Sequence, residues 1–194
     1  MALFPLSSAF AAQQHIGQVG GLSNVWQPAD SALTRPANTT AYAANQAIGS
    51  GTTALFKFSG FFRANGGSAL LTGLRLVASL SGIAASNMGA IRAHLFNAAP
   101  SIAAGLVDQG AFNTLLADDL LKLGTVDFST WNIGGGGSNL IESYGAPALS
   151  PLPIIGAQTP APGARDLYMI LVATGAFTPA SGQTIQGYAS ATVD

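Results

Sequence analysis

The residues able to do acid–base, metal or nucleophilic chemistry in this chain of 194 residues are few and scattered. There are two histidines, His15 and His94. No Asp, Glu, Lys or Arg precedes Asp30, so His15 has no charged neighbour in sequence. His94 stands two residues from Arg92 in an alternating segment. Neither belongs to a metal-ligand spacing, and a structural or surface role is expected of both. Glu142 is the single glutamate, and Asp118-Asp119 is the only adjacent acid pair. Consecutive residues on a helix do not face one another, so that pair is poorly placed for joint acid–base work. It reads as the solvated face of a short helix. The alternating acids of a calcium loop are absent.

Nucleophile and phosphate motifs are missing too. The chain has no Cys, no Gly-x-Ser-x-Gly and no Ser-x-x-Lys. The run of glycines at 134–137 is not followed by Lys-Ser or Lys-Thr and opens no helix. It is expected to be a flexible loop. Asn38-Thr39-Thr40 fits a glycosylation acceptor, a short pattern common by chance. Tyr42, Trp131, Tyr144 and Tyr188 offer surfaces on which a sugar could stack, although aromatics more often serve cores and interfaces. Trp26 and Trp131 are read in that second way. Nothing converges on an active site, and the expectation is a protein that is not an enzyme and needs no metal or other cofactor.

The elements that would position these residues are strands. Apolar runs are short and punctuation is dense, the pattern of an all-β sandwich. In residues 53–58, Ala54, Phe56 and Phe58 alternate against Lys57. In 70–79, Leu70, Thr72, Leu74, Leu76 and Ala78 alternate against Arg75 and Ser79. In 90–96, Ile91, Ala93 and Leu95 oppose Arg92, His94 and Phe96. Leu167–Ala173 is apolar on both faces, as in a central strand covered on both sides. Thr184–Val193 sets Ile185, Gly187, Ala189 and Ala191 against Gln186, Tyr188 and Ser190 and is the natural closing strand. Weaker strands are expected near 22–27, 123–128 and 139–144. Residues 113–123 break the pattern, with Leu116, Leu120 and Leu123 at helical spacing before Gly124. Residues 145–162 hold Pro147, Pro151, Pro153, Pro160 and Pro162 and read as a long extended surface loop, not a strand in a sheet interior. About eight strands with long crossings suggest a jelly roll or related Greek-key sandwich.

Composition narrows the partners. Lys plus Arg is 7, Asp plus Glu is 8, and charged residues are only 8% of the chain, against about 25% in ordinary domains. Seven dispersed cations and a net charge of −1 argue against nucleic-acid binding. The longest apolar run is far short of the roughly 18 residues of a membrane span. Residues 1–29, 36–56, 93–107, 143–164 and 167–193 carry no Asp, Glu, Lys or Arg. A surface so sparsely charged favours association, and the chain is expected to live in an assembly. No positive residue precedes Arg35 and Pro5 interrupts the first apolar stretch, so the start reads as a terminal arm and not a secretory signal. Residues 1–32 are assigned to this arm and 33–194 to the β-sandwich. Phe4, Leu6, Phe10 and Ile16 are its apolar anchors.

The run from Leu33 to Gly49, which begins Leu-Thr-Arg-Pro-Ala-Asn-Thr-Thr-Ala-Tyr, resembles the opening of a group of tailed-bacteriophage structural proteins. Further landmarks follow in that group's order. They are Gly66-Gly67-Ser68 before a strand, Leu95-Phe96-Asn97-Ala98-Ala99-Pro100, Leu123-Gly124-Thr125-Val126-Asp127-Phe128, and Phe177-Thr178-Pro179-Ala180-Ser181-Gly182-Gln183. Together they span about residues 33–194. At Asn45-Gln46, members often carry Gly-Asp, a difference that falls in a turn.

The resemblance implies a jelly-roll sandwich; with the residue patterning, the expected fold is all-β, a jelly-roll or Greek-key sandwich with an extended N-terminal arm and one short helical turn. The resemblance implies a capsid decoration (cement) protein on the outer surface of the virion head. Its partners would be the major capsid protein and further copies of itself, as a trimer. It supplies no catalytic residues. Phe4, Leu6, Phe10 and Trp26 are the expected docking residues. The alternative is a tail or fibre module that contacts host surface glycan, which requires exposed aromatics in a groove.

Overall fold

The computed structural model describes residues 23–80, 84–133, 140–147, 151–159 and 161–193. Phe4, Leu6, Phe10, Ile16 and the 134–137 glycine run lie outside the described residues. Two antiparallel sheets face each other. One contains β1 (Ser23–Pro28), β2 (Leu33–Thr34), β5 (Ser68–Ser79), β8 (Asn132–Ile133), β9 (Leu140–Gly145), β10 (Leu152–Ile155) and β12 (Thr184–Val193). The other contains β3 (Ala47–Ile48), β4 (Leu55–Phe58), β6 (Ile91–Phe96), β7 (Lys122–Phe128) and β11 (Leu167–Ala173).

The first sheet runs β1-β12-β5-β9-β8, with β2 also on β12 and β10 also on β5. The second runs β3-β11-β6-β7, with β4 also on β11. Counted as pairs, β1/β2 and β3/β4 act as the first and second strands of the roll. The sheets are then ordered first-eighth-third-sixth and second-seventh-fourth-fifth, with β8 and β10 added at the edge. This is a jelly roll, in which most connections cross from one sheet to the other. The arm, from Ser23 onward, is already an edge strand of the larger sheet, paired Trp26 to Ser190 and Pro28 to Tyr188.

The main core lies between the sheets and holds Phe56, Phe58, Leu71, Leu76, Met169, Leu171 and Ile185. In β12 the small residues Gly187, Ala189 and Ala191 face this core. A Cβ on Gly187 would come within 2.7 Å of the Met169 side chain, so the absent side chain makes room for Met169. Every residue of β11 is buried. Its outward residues Tyr168, Ile170 and Val172 lie under Leu106 and Phe112 from the β6–β7 connection and with Ala47 and Ala54. The chain therefore covers the outside of its smaller sheet with its own connection. That cover is tied down by backbone bonds from Ala54 N–H to the Leu106 carbonyl (2.9 Å) and from Phe112 N–H to the Asn45 carbonyl (2.9 Å). Asn45, in the turn before β3, has a φ of 68°. Asn is among the non-glycine residues that adopt this conformation most readily.

Three expectations change. First, residues 70–79 do not alternate without interruption. Ala69 and Leu71 face inward, and so do Leu74, Leu76 and Ala78, while Leu70 and Thr72 face outward. The register against β12 slips at Ser190/Ala191, and a one-residue slip reverses every side chain beyond it. Second, the proline-rich stretch is not loop throughout. Leu152–Ile155 is an edge strand paired to β5, with Pro153 opposite Leu70. An edge position tolerates proline because a proline's missing N–H breaks no ladder there.

Third, the expected short helical turn is present as α1 (Leu116–Asp119), but it is turned inside out relative to its sequence pattern. Leu116 and Leu120 are both 78% exposed, and Leu115 is exposed beside them. Asp118 is buried, not solvated. Its carboxylate accepts the N–H groups of Ser101 (2.5 Å) and Ile102 (3.2 Å), which open the 3-10 turn Ser101–Ala103. Desolvation pushes the Asp118 pKa up, but these backbone donors outweigh it and hold the carboxyl below its ordinary value. The reason for the inversion is space. The apolar volume beneath α1 is already filled by Ile102, Ala103, Leu106, Phe112 and Leu121. The unpaired N–H groups there need an acceptor, which leucine cannot supply.

Candidate functional site

The two sheets differ on their outsides. The larger sheet has no such cover among the described residues, and it carries Trp26, Leu70, Tyr144 and Ile155 exposed. Their positions follow from register. Tyr188 on β12 lies opposite Arg75 on β5, and Arg75 lies opposite Tyr144 on β9, a row across three strands. Trp26 on β1 is diagonal to Tyr188 and stacks on it, with ring centroids 5.7 Å apart and planes at 17°. The Arg75 guanidinium sits 5.3 Å from the Tyr188 ring centre and 5.6 Å from that of Tyr144. It donates to Glu142 from Nε (2.9 Å) and from Nη2 (2.5 Å). The Glu142 hydrogen bond raises the Arg75 pKa further, so the cation is permanent and locally neutralised.

Next to this row the β5 slip leaves Thr72 and Gly73 at consecutive outward positions. With Ser190, Gly145 and Ala146 they form the floor and sides of a trough of about 340 Å³ flanked by Trp26 and Tyr144. Thr72 Oγ1 donates to the Ser190 carbonyl (3.0 Å) and lies 2.8 Å from Ser190 Oγ. Gly145 allows the close approach beneath. A Cβ there would stand 2.5 Å from the Val126 side chain of the facing sheet. Thus the slip that reverses β5 also opens the trough.

Of the docking residues expected from sequence, Trp26 is on this face and 53% exposed. The other three lie outside the described residues. Of the aromatics considered for sugar stacking, Tyr144 is 62% exposed on the trough rim and Tyr188 is half-buried behind Trp26. Tyr42 and Trp131 are buried. Trp131 donates its indole N–H to the Gly89 carbonyl (3.0 Å). Sequence reasoning missed Arg75 and Glu142 as members of the face. The alternation of β5 placed Arg75 outward, but its neighbours depend on register across strands 67 residues apart.

His94 takes no part in this face. It lies under the β6–β7 connection with its ring 4.5 Å from that of Phe112, and its Nδ1 has no hydrogen-bond partner. Burial, and then the nearby Lys122 and Arg92 charges, push its pKa from 6.5 down to about 4. The unfolded chain then binds a proton that the fold refuses. Stability is expected to fall as pH drops from 6.5 to about 4 and to level below that. Urea midpoints measured across this range should decline for the wild type and decline less for His94→Leu. An equal decline in both would assign the acid limb to carboxylates instead.

Among the described residues no group of three or more His, Cys, Asp or Glu converges as metal ligands would. No helix among them is long and apolar enough to cross a membrane. Comparison of the chain with family models, curated proteins and solved structures finds no match.

Proposed function

We propose that this chain is a bacteriophage capsid decoration protein that docks on the outer capsid lattice through the open face of its larger sheet. The observation that carries this reading is the asymmetry of the two sheets. One is covered by the chain's own connection, while the other presents Trp26 and Tyr144 beside Arg75 and, farther along β5, Leu70. Trp, Tyr and Arg are the residues that dominate binding energy at protein interfaces. The low charge of the chain and its resemblance to phage structural proteins agree with a life in an assembly. The mechanism is mechanical. Apolar area buried across capsomer junctions is worth about 25 cal/mol per Å², less the cost of association, and capsid rupture must expose it again. Phe4, Leu6 and Phe10 are the further anchors.

Deleting residues 1–20 is expected to abolish binding to undecorated capsids while the circular dichroism and melting of the sandwich stay the same. Normal binding by the truncated protein would remove the arm from the docking surface. Copies per virion, counted against the major capsid protein, should come to one per capsid subunit or a simple fraction.

The trough supports a second reading, the glycan-contacting tail or fibre module. Two exposed aromatic rings flank hydroxyl groups of Thr72 and Ser190 there. That reading predicts a few to a few dozen copies per virion and binding to host cells that is lost in Trp26→Ala.

A further inference from the structure

A second exposed apolar surface lies outside the face just described. Leu116 and Leu120 stand one helical turn apart on the same side of α1, with Leu115 beside them. All three are more exposed than Trp26. The ridge is fixed in that attitude. Rolling its leucines inward would pull the Asp118 carboxylate off the Ser101 and Ile102 N–H groups, and the space beneath is already filled.

The charges around the ridge indicate what covers it. Asp119 is exposed and Lys122 is partly exposed, and among the described residues neither has an ion-pair partner within the chain. Charged residues are 8% of this sequence, yet the eight residues from Leu115 to Lys122 hold Asp118, which is buried, and Asp119 and Lys122, which reach solvent beside the leucines. A patch with an apolar centre and one charge of each sign is complementary to itself. Under a two-fold rotation the leucines meet leucines, and each Asp119 faces Lys122 of the other copy. Ala117 and Asn113, both exposed, supply a small, uncharged rim.

We propose that the ridge of Leu115, Leu116 and Leu120 is a two-fold contact between copies of this chain, held open by Asp118 and put in register by Asp119 against Lys122. The proposal does not depend on what the Trp26 face binds. It specifies a pairing contact, so it applies to two chains or to two larger units built from them.

Light scattering on the eluting, purified full chain tests it. The wild type is expected at an even multiple of 19.5 kDa. Leu116→Ser with Leu120→Ser should halve that mass and leave the circular dichroism spectrum of the sandwich unchanged, because both side chains are in solvent in a single chain. Asp119→Lys alone and Lys122→Asp alone should each weaken pairing by about tenfold. The double exchange Asp119→Lys with Lys122→Asp should restore it, a rescue that a merely structural role could not produce. A wild type at the mass of one chain, or a mass indifferent to the leucine substitutions, overturns the proposal. Failure of the double exchange to rescue overturns the two-fold register. Capsid or cell binding through Trp26 is read in a separate assay, so the two proposals fail separately.

Discussion

Asp108→Ala is expected to cost about 3–5 kcal/mol of folding stability, because it strands a buried cation. The Arg35 and Asp108 side chains are 0% and 2% exposed and 3.0 Å apart. Arg35 also donates to the Tyr42 hydroxyl (2.5 Å) and to the Ala180 carbonyl (3.0 Å). Asp108 accepts from the Tyr42 hydroxyl and from Gly49 N–H (3.1 Å). Burial, and then the bond to Asp108, push the Tyr42 pKa far above its ordinary value, so its hydroxyl remains a donor at every working pH. This knot joins the β2 end, the β6–β7 connection and the loop before β12. Total stabilities of about 5–15 kcal/mol make such a loss about a fifth of the fold's stability or more. Guanidinium midpoints should show it for Asp108→Ala and for Arg35→Met. The double variant Arg35→Met/Asp108→Leu should lose less than the sum, since neither charge is then left alone. The Arg92–Asp127 pair is the control. It is 45% and 61% exposed, and breaking it should cost at most about 1 kcal/mol. Equal losses from the two pairs would show that burial does not set the difference.

Trp26→Ala is expected to weaken capsid binding by about 30- to 1000-fold, the effect of truncating an interface hot spot. The side chain stacks on Tyr188, stands over the trough and is half in solvent, so its loss should leave the sandwich folded. Leu70→Ser and Tyr144→Ala should weaken binding by smaller factors, in proportion to the ring or chain removed from the same face. The assay is sedimentation of the variants with undecorated capsids at fixed ionic strength. Full-strength capsid binding by Trp26→Ala, with loss of cell or polysaccharide binding, would transfer the face to the glycan reading.

Much of the fold was legible in the chain. The alternation of β6 and β12 named their core residues, because side chains of a strand point to opposite faces by local geometry alone. The all-apolar β11 announced a strand covered on both sides. These readings need only local geometry and composition.

The exposed face of the larger sheet and the leucine ridge were not legible in the same way. Leu70 and Leu116 look like core residues by their spacing, yet both are in solvent. Leu70 is turned outward by a register slip set by β12, more than a hundred residues away. Leu116 is turned outward because earlier residues of its own connection, Ile102, Leu106 and Phe112, already pack on the smaller sheet, and the Ser101 and Ile102 N–H groups take Asp118 as their acceptor. Arg35 and Asp108, 73 residues apart, carried no local sign of their pairing. Periodicity in sequence determines which residues share a side. Which side is buried depends on where the remainder of the chain has already packed, and that is decided only in three dimensions.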